Sequence, residues 1–573
     1  MNPDDRTAGT AFSHTGTLAD FEPLHPAEKK ILAGLGSSDF SRIGDGLRPD
    51  DTDLARTVRA GFLRFLILGG DHFRLHEAGL RLNGAEITGT LDLEGCRIPR
   101  DIALTDCRFD ASPVLRSAII DNLFLDGSAL PGLQADRLEA RGGVSLHGAT
   151  VTGRLRLRGI RLGGNLEADG ATITVPDGLA IDADGLEARG NIQLRGATIR
   201  GGIDIVGARL GGDLNAAGAR IERSGEVVIN GGGIAARGDL VLRGVTIVGE
   251  IRFVGAHFGG DADCSGASLS QPDGHALRLI RARIDGAFFL RQGASVQGTL
   301  DLTATTIGAL DDEQACWPQK GDLRLNRCQY AAIIGGPIDA ATRLIWLARQ
   351  WSGSGQEFWP QPYEHLANVL RDMGHGSEAR AVLIAKEKLQ RRARRLRTAN
   401  PLLRGALAFS DAVLAVTVRY GRQPLLAAVW LMLFWFVGVL VFSVAERNGV
   451  LKPNSPVVLR SLEWTMCAVE KSQERYMPSA GQVLAGRATT GQSQMACFLG
   501  QPEASSYPEF NAGMYSLDVM LPVMEIGQKQ YWRPDSLKPG GLAVLNYYYF
   551  LSIIGWALSL LAVAGFSGLV KTR

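Results

Sequence analysis

A long internal repeat constrains this chain more than any other feature of its sequence. Four similar segments read RGGVSLHGATVTG, RGNIQLRGATIRG, RGDLVLRGVTIVG and DGAFFLRQGASVQG, and they begin at Arg141, Arg189, Arg237 and Asp285. Successive starts differ by 48 residues, and a shorter unit returns about every eleven residues within each period. A fold that accepts this sequence must therefore be built from many copies of one small structural unit.

Each short unit predicts a very short β-strand followed by a corner. Apolar residues alternate over three to five positions, and Gly-Ala then precedes one more apolar residue. Glycine permits the corners and alanine fills narrow inward positions. We therefore expect a mainly β protein, a parallel β-solenoid in which the 48-residue period forms two turns of about 24 residues. Leucine-rich repeats are the alternative, but their asparagine ladder and wider leucine spacing are not recognisable here.

Overall composition excludes several classes of protein. The chain has 573 residues and a formal charge of +2, which argues against a chain-wide nucleic-acid binder, and we expect no nucleic-acid partner. Seven cysteines are too few for a disulfide scaffold.

Two uncharged segments predict transmembrane helices, at 425–444 and 545–570. Lysine and arginine are concentrated before the first segment, so the positive-inside rule places both termini in the cytoplasm and residues 445–540 outside. We expect a multi-pass membrane protein. The remaining predicted regions are a disordered tail (1–25), a helical N-terminal cap (26–70), the solenoid (71–335), a helical cap with a basic juxtamembrane segment (336–400) and an interfacial helix (401–424).

The basic juxtamembrane segment predicts contact with anionic lipid headgroups, each cation contributing about 1 kcal/mol near the surface. Topology-setting charge is the simpler explanation, and the two overlap. The residues in question are Lys386, Lys388, Arg391, Arg392, Arg394, Arg395 and Arg397.

The positions of the cysteines in the repeat predict buried core packing rather than redox chemistry. Cys96, Cys107, Cys264 and Cys328 take repeat positions that hold alanine in other copies, so we expect small buried side chains. Cys467 and Cys497 lie in the predicted external region, where oxidation is permitted, and a disulfide between them is possible. We identify no catalytic, metal-binding or cofactor-binding residues, and we expect no cofactor.

The external segment 510–526 is apolar but contains Asp518 and Glu525. An apolar dip between two spans is the plan of two-helix ion channels, and rings of either carboxylate in an oligomer would line a pore. A small packed external domain is the alternative, and we favour it.

Several motifs carry resemblances to known families. The short strands with alanine and leucine ladders resemble pentapeptide-repeat and bactofilin-like solenoids, although the strict five-residue register is missing. The segments FLRFLILGG, GAEITGTLDLEGCRI, PYEHLANVLRDMGHGSEARAVLIAKE and YSLDVMLPVMEIGQKQYW resemble bacterial two-span membrane proteins often labelled membrane-associated oxidoreductases. This second resemblance implies the bacterial inner membrane as the location and a membrane enzyme as the activity, without a mechanism.

Taken together, the sequence favours a non-enzymatic function. We expect a membrane-anchored scaffold or sensor whose rigid cytoplasmic solenoid binds an unidentified protein partner or self-associates. The alternatives are an oligomeric channel or membrane-permeabilising effector gated by the solenoid, and the oxidoreductase that the resemblance implies.

Overall fold

The computed structural model describes residues 16–566, apart from residues 51–52, 74, 352–357, 421–422, 424, 468–487, 489–490 and 522. The chain forms two compact units, one reaching to Lys386 and the other beginning at Glu387.

The first unit is a parallel β-solenoid of about 12 turns, which confirms the predicted fold. We call each turn of the chain a coil. Every strand pairs in parallel with the equivalent strand of the next coil, so hydrogen bonds run between coils along the whole stack. Alternate side chains of each short strand face the interior, where leucine, isoleucine and alanine form the core.

Two long sheets contain the strands of the solenoid. The strands of the first sheet are Ser41–Arg42, Leu80–Asn83, Arg97–Ile98, Ile102–Thr105, Ile119–Ile120, Leu123–Phe124, Glu139–Ala140, Val144–Ser145, Arg161–Leu162, Leu166–Glu167, Glu187–Ala188, Ile192–Gln193, Arg209–Leu210, Leu214–Asn215, Ala235–Ala236, Leu240–Val241, His257–Phe258, Ala262–Asp263, Arg283–Leu290, Thr306–Asp312 and Gln329–Gly335. Those of the second sheet are Thr57–Arg59, Glu86–Thr88, Arg108–Phe109, Ala129–Leu130, Leu133–Gln134, Thr150–Val151, Leu155–Arg156, Thr172–Asp182, Thr198–Asp204, Arg220–Asn230, Thr246–Arg252, Ser268–Arg278, Ser295–Asp301 and Leu323–Arg324.

The 48-residue period consists of two unequal coils rather than two of about 24 residues. Val144 pairs with Leu166, 22 residues later, and Leu166 pairs with Ile192, 26 residues later. The longer coil carries an 11-residue strand, Thr172–Asp182, where its neighbour Thr198–Asp204 has 7 residues. Gly201 accommodates the extra residues, because it has a φ of +137° and a side chain there would lie 2.5 Å from the carbonyl oxygen of Val175.

A ladder of asparagine and aspartate side chains links consecutive coils at one corner. The Oδ1 atom of Asn165 accepts a hydrogen bond of 2.9 Å from the backbone N–H of Asn191, and Asn191 does the same for Asp213 at 2.7 Å. Asp213 and Asp239 continue the ladder at 2.8 and 2.7 Å. This ladder was not predicted, although a Gly-Asn or Gly-Asp pair before the first apolar residue of each short strand marks it.

Helices lie at both ends of the solenoid sequence. The strands Ser41–Arg42 and Thr57–Arg59 already pair with solenoid strands, so the solenoid begins within the region predicted as a helical cap. The helices of this unit are α1 (Pro26–Gly34), α2 (Ala60–Ile67), α3 (Ala340–Leu347), α4 (Gln361–Asp372) and α5 (Gly376–Arg397), the last of which continues into the second unit. Three 3₁₀ turns accompany them, at Leu18–Phe21, Gly70–His72 and Gln314–Cys316.

The second unit is mainly helical. Its two longest helices, α7 (Leu425–Arg447) and α13 (Gly541–Phe566), are long and apolar enough to cross a membrane. A two-stranded antiparallel sheet, Leu451–Pro453 with Trp532–Pro534, joins the segment that follows α7 to the segment that precedes α13. The helices are α6 (Pro401–Thr417), α7 (Leu425–Arg447), α8 (Pro456–Leu459), α9 (Leu462–Met466), α10 (Gln494–Leu499), α11 (Ala512–Met520), α12 (Gln528–Tyr531) and α13 (Gly541–Phe566), with a 3₁₀ turn at Pro502–Ala504.

Candidate functional site

A long open groove crosses seven consecutive coils on the first sheet of the solenoid. One wall is a column of outward side chains that runs from Ile119 to His257, one residue per coil. The floor is the backbone of the next residue in each coil, whose side chain faces the core. Six steps of about 4.8 Å between coils give the groove a length of about 29 Å.

The charge of this groove is strongly positive. Five arginines line it, against two glutamates. Within the first wall the charges alternate and pair, with Arg161 lying 3.1 Å from Glu139 and Arg209 lying 3.2 Å from Glu187. The near-zero net charge of the whole chain gives no sign of this local excess of cations.

The second wall carries the excess charge. This wall is formed by the residue that follows each first-wall residue by two positions. At these positions Arg141, Arg189 and Arg237 alternate with glycines. Arg141 lies 3.3 Å from Asp121, whereas the exposed side chains of Arg189 and Arg237 form no ion pair with any described residue. Two coils separate these arginines, so their backbones lie about 10 Å apart.

Close packing between coils explains why arginine occurs only in every second coil of this wall. A Cβ atom at Gly211 would overlap the carbonyl oxygen of Arg189, and one at Gly259 would lie 2.4 Å from that of Arg237. The intervening coils therefore accept only glycine, and the space between successive arginine side chains stays open.

Other outward arginines of the solenoid are neutralised within the protein. Arg195 lies 2.6 Å from Asp169 and also donates from Nε, and Arg156 lies 2.8 Å from Asp136. Arg158 lies 2.8 Å from the buried carboxylate of Asp182. These positions are poorer candidates for partner contact than the groove.

The structure separates the basic juxtamembrane residues into two groups. Lys386 is buried, and its Nζ lies 2.9 Å from Glu364. Arg391 and Arg395 both contact the buried carboxylate of Asp411 on α6, at 3.0 and 2.8 Å. These three cations therefore contact protein carboxylates instead of being free to face lipid headgroups as predicted. The exposed members are Lys388, Arg392, Arg394 and Arg397.

Helix α6 exposes an apolar face. Leu402, Phe409 and Val416 are spaced by seven residues, lie on one side of the helix, and are 84%, 74% and 57% exposed. Asp411 lies on the opposite side, where it contacts α5. This arrangement is typical of a helix that lies in a membrane interface.

The cysteines lie in two environments. Cys107, Cys264 and Cys328 are buried in the solenoid, and burial raises the pKa of each thiol to about 12, which disfavours the reactive thiolate at neutral pH. Cys96 is half-buried. Cys467 and Cys497 form a disulfide with a Cα–Cα distance of 5.7 Å. Among the described residues, no group of histidine, cysteine and acidic side chains is arranged to hold a metal ion.

Helix α11 packs against the middle of both long apolar helices. The Ser516 hydroxyl donates to the carbonyl oxygen of Trp435 at 3.1 Å, and a side chain at Gly438 would overlap that hydroxyl. On the other side, a side chain at Gly555 would overlap the carbonyl oxygen of Met520. Gly555 lies fourteen residues into α13, which is about 21 Å from its first residue at 1.5 Å per residue.

The two predicted pore carboxylates have opposite environments. Asp518 is fully buried and accepts hydrogen bonds from the backbone N–H groups of Ile526 at 3.1 Å and Lys529 at 2.8 Å. The ammonium group of Lys529 also lies 3.5 Å from it. Asp518 therefore anchors the segment after α11 and does not line an open surface, whereas Glu525 is exposed.

The fold and these sites define a parallel β-solenoid joined to a helical unit with two candidate transmembrane helices. Comparison with protein-family models, with curated proteins and with solved structures finds no match in any of the three.

Proposed function

We propose that this protein is a membrane-anchored scaffold or sensor whose solenoid binds an acidic segment of a partner protein. The observation that carries the proposal is the pair Arg189 and Arg237, two exposed cations of the groove without an ion pair among the described residues. A partner carboxylate at each would neutralise charge that the solenoid itself leaves uncompensated.

The expected binding is electrostatic and sensitive to salt. Each exposed ion pair contributes at most about 1 kcal/mol, so affinity requires several pairs along the length of the groove. Attraction between opposite charges accelerates association and weakens as ionic strength rises. A rigid stack of coils suits this task because the arginine spacing is fixed before the partner arrives.

Membrane attachment in this proposal has three components. Helices α7 and α13 cross the bilayer, α6 lies in the interface through Leu402, Phe409 and Val416, and the exposed cations Lys388, Arg392 and Arg394 contact anionic headgroups. The location that we propose is the bacterial inner membrane, from the resemblance of the sequence, with both termini in the cytoplasm, from the charge distribution.

A double charge reversal in the groove is expected to abolish partner binding. A photo-crosslinking amino acid at the exposed groove position Ala235 should trap a partner from native membranes, and Arg189→Glu combined with Arg237→Glu should reduce the trapped amount at least tenfold. The measurement is mass spectrometry of the crosslinked product.

The matched control changes the same number of charges elsewhere. Arg200 and Arg281 are exposed and lie outside the groove, so Arg200→Glu with Arg281→Glu should leave trapping unchanged. Equal trapping by both double variants would contradict the proposal, and so would trapping of nucleic acid in place of a protein.

A second candidate function is an oligomeric channel. The observation that favours it is α11, which lies between the two apolar helices at mid-length and is followed by an exposed non-helical segment. Ion flux through bilayers that contain the purified protein is the direct test of this function.

A further inference from the structure

We infer that residues 523–527 face a water-filled cavity within the membrane, enclosed by further copies of this chain, and that Glu525 gives this cavity an attraction for cations. The inference rests on the second candidate function and on the membrane crossing of α7 and α13. It assigns the segment, the charged group and the class of ion.

The contacts on either side of residues 523–527 fix the depth of this segment. It follows Met520, whose carbonyl oxygen contacts α13 at Gly555, about 21 Å from the start of that helix. The chain returns to the helix ends at Lys529 and Tyr531, whose carbonyl oxygens accept hydrogen bonds of 3.2 and 2.8 Å from Asn454, in the segment that follows α7. Residues 523–527 therefore lie between the middle of the bilayer and its surface.

The conformation of this segment requires protein or water around it. Residues 523–527 are not helical, and Asp518 holds their end in place through the N–H groups of Ile526 and Lys529. Non-helical backbone at membrane depth is tolerated only where protein covers it or where it lines water, since lipid satisfies no backbone hydrogen bonds. Within one copy, Val523 is 89% exposed and Met524 is 51% exposed. Water and neighbouring copies must therefore provide the hydrogen-bond partners and the apolar cover that a single copy does not.

The segment also carries one acidic side chain, that of Glu525. Glu525 is exposed, and in the described residues it has no ion-pair partner. An ionisable group inside a membrane is costly and characteristically faces an aqueous path. A ring of carboxylates around such a path attracts cations. The ion pair between buried Asp518 and half-buried Lys529 is neutral overall and does not compensate Glu525.

Cysteine accessibility tests the cavity. The probe is a membrane-impermeant maleimide added to both sides of proteoliposomes that contain the full chain. Glu525→Cys should react at a rate within about tenfold of Leu537→Cys, which lies in an exposed loop outside the helices. Ile553→Cys, on an exposed and apolar part of α13, should react at least a hundredfold more slowly. A rate for Glu525→Cys equal to that of Ile553→Cys would overturn the inference.

Crosslinking tests the contribution of further copies. Mild oxidation should join copies of Val523→Cys into disulfide-linked dimers, which Ile553→Cys should not form. Absence of dimers at position 523 while position 525 reacts with maleimide would overturn the shared cavity.

Ion selectivity tests the assigned charge and separates this inference from the channel function. Glu525→Gln should reduce the cation-to-anion permeability ratio at least threefold, while Glu509→Gln, in the segment that precedes α11, should not change it. An unchanged ratio in Glu525→Gln would overturn the assignment to Glu525. If the wild-type protein conducts no ions although Glu525→Cys reacts, then the channel function fails and the water-filled cavity stands.

Discussion

Replacing Arg343 by methionine is expected to destabilise the C-terminal end of the solenoid by about 3–5 kcal/mol, the usual cost of removing one partner from a buried ion pair. Arg343 is fully buried and binds both oxygens of Asp312, at 2.8 and 2.7 Å. Its Nε donates to the carbonyl oxygen of Pro337 at 2.6 Å. Methionine replaces the aliphatic part of the arginine side chain but leaves the carboxylate of Asp312 without its cation.

Two tryptophans provide the readout for this prediction. The guanidinium of Arg343 lies 5.7 Å from the ring of Trp317 and 5.3 Å from that of Trp346. Thermal unfolding followed by tryptophan fluorescence should therefore show a lower midpoint in Arg343→Met. Arg371→Met, at an exposed position on α4, is the control and should change the midpoint by about 1 °C or less.

A compensating variant distinguishes charge from packing. Arg343→Met combined with Asp312→Asn removes both charges and keeps an amide oxygen for the indole N–H of Trp317, which donates to Asp312 at 2.6 Å. This double variant should recover at least half of the lost stability, because most of the cost of breaking a buried pair comes from the charge left uncompensated. If the double variant is as unstable as Arg343→Met, or if the single variant loses less than about 1 kcal/mol, the buried charge is not what matters here.

Replacing Gly555 by valine is expected to displace α11 from the two apolar helices and to destabilise the second unit by about 3 kcal/mol, the upper end for overpacking. The added side chain would overlap the backbone carbonyl of Met520, which cannot rotate away as a flexible side chain would. Ala557→Val, at an exposed position two residues further along α13, is the matched control and should have no such effect.

A designed disulfide measures the position of α11 directly. A Cβ atom at Gly438 would lie 3.2 Å from the Cβ atom of Ser516, close to the separation found in disulfides. Gly438→Cys with Ser516→Cys should therefore crosslink α7 to α11, and adding Gly555→Val should prevent the crosslink while Ala557→Val should not. A crosslink that forms equally with Gly555→Val would show that α11 does not depend on this contact.

The repeat made the solenoid predictable, because each inward leucine or alanine recurs at a fixed interval and stacks on its own equivalent. The alternation of 22- and 26-residue coils was not predictable, since only the sum of 48 is visible until strands are paired. The ion pairs of the solenoid were not predictable for the same reason, because they too depend on which strands pair. Arg189 and Arg195 are similar exposed arginines in the sequence, but only the pairing of coils places Asp169 beside Arg195 and leaves Arg189 uncompensated.

The sequence by itself determined the solenoid and the two candidate transmembrane helices, because these depend on periodicity and on uninterrupted apolar length. It left the disulfide between Cys467 and Cys497 open, because residue type alone does not pair two cysteines. Only the tertiary structure decided which cations are neutralised and where α11 lies. Gly438 meets Ser516 across 78 residues of chain, and Gly555 meets Met520 across 35. Contacts between distant segments leave no periodic trace in a sequence, so glycines that are unremarkable along the chain become essential once helices pack.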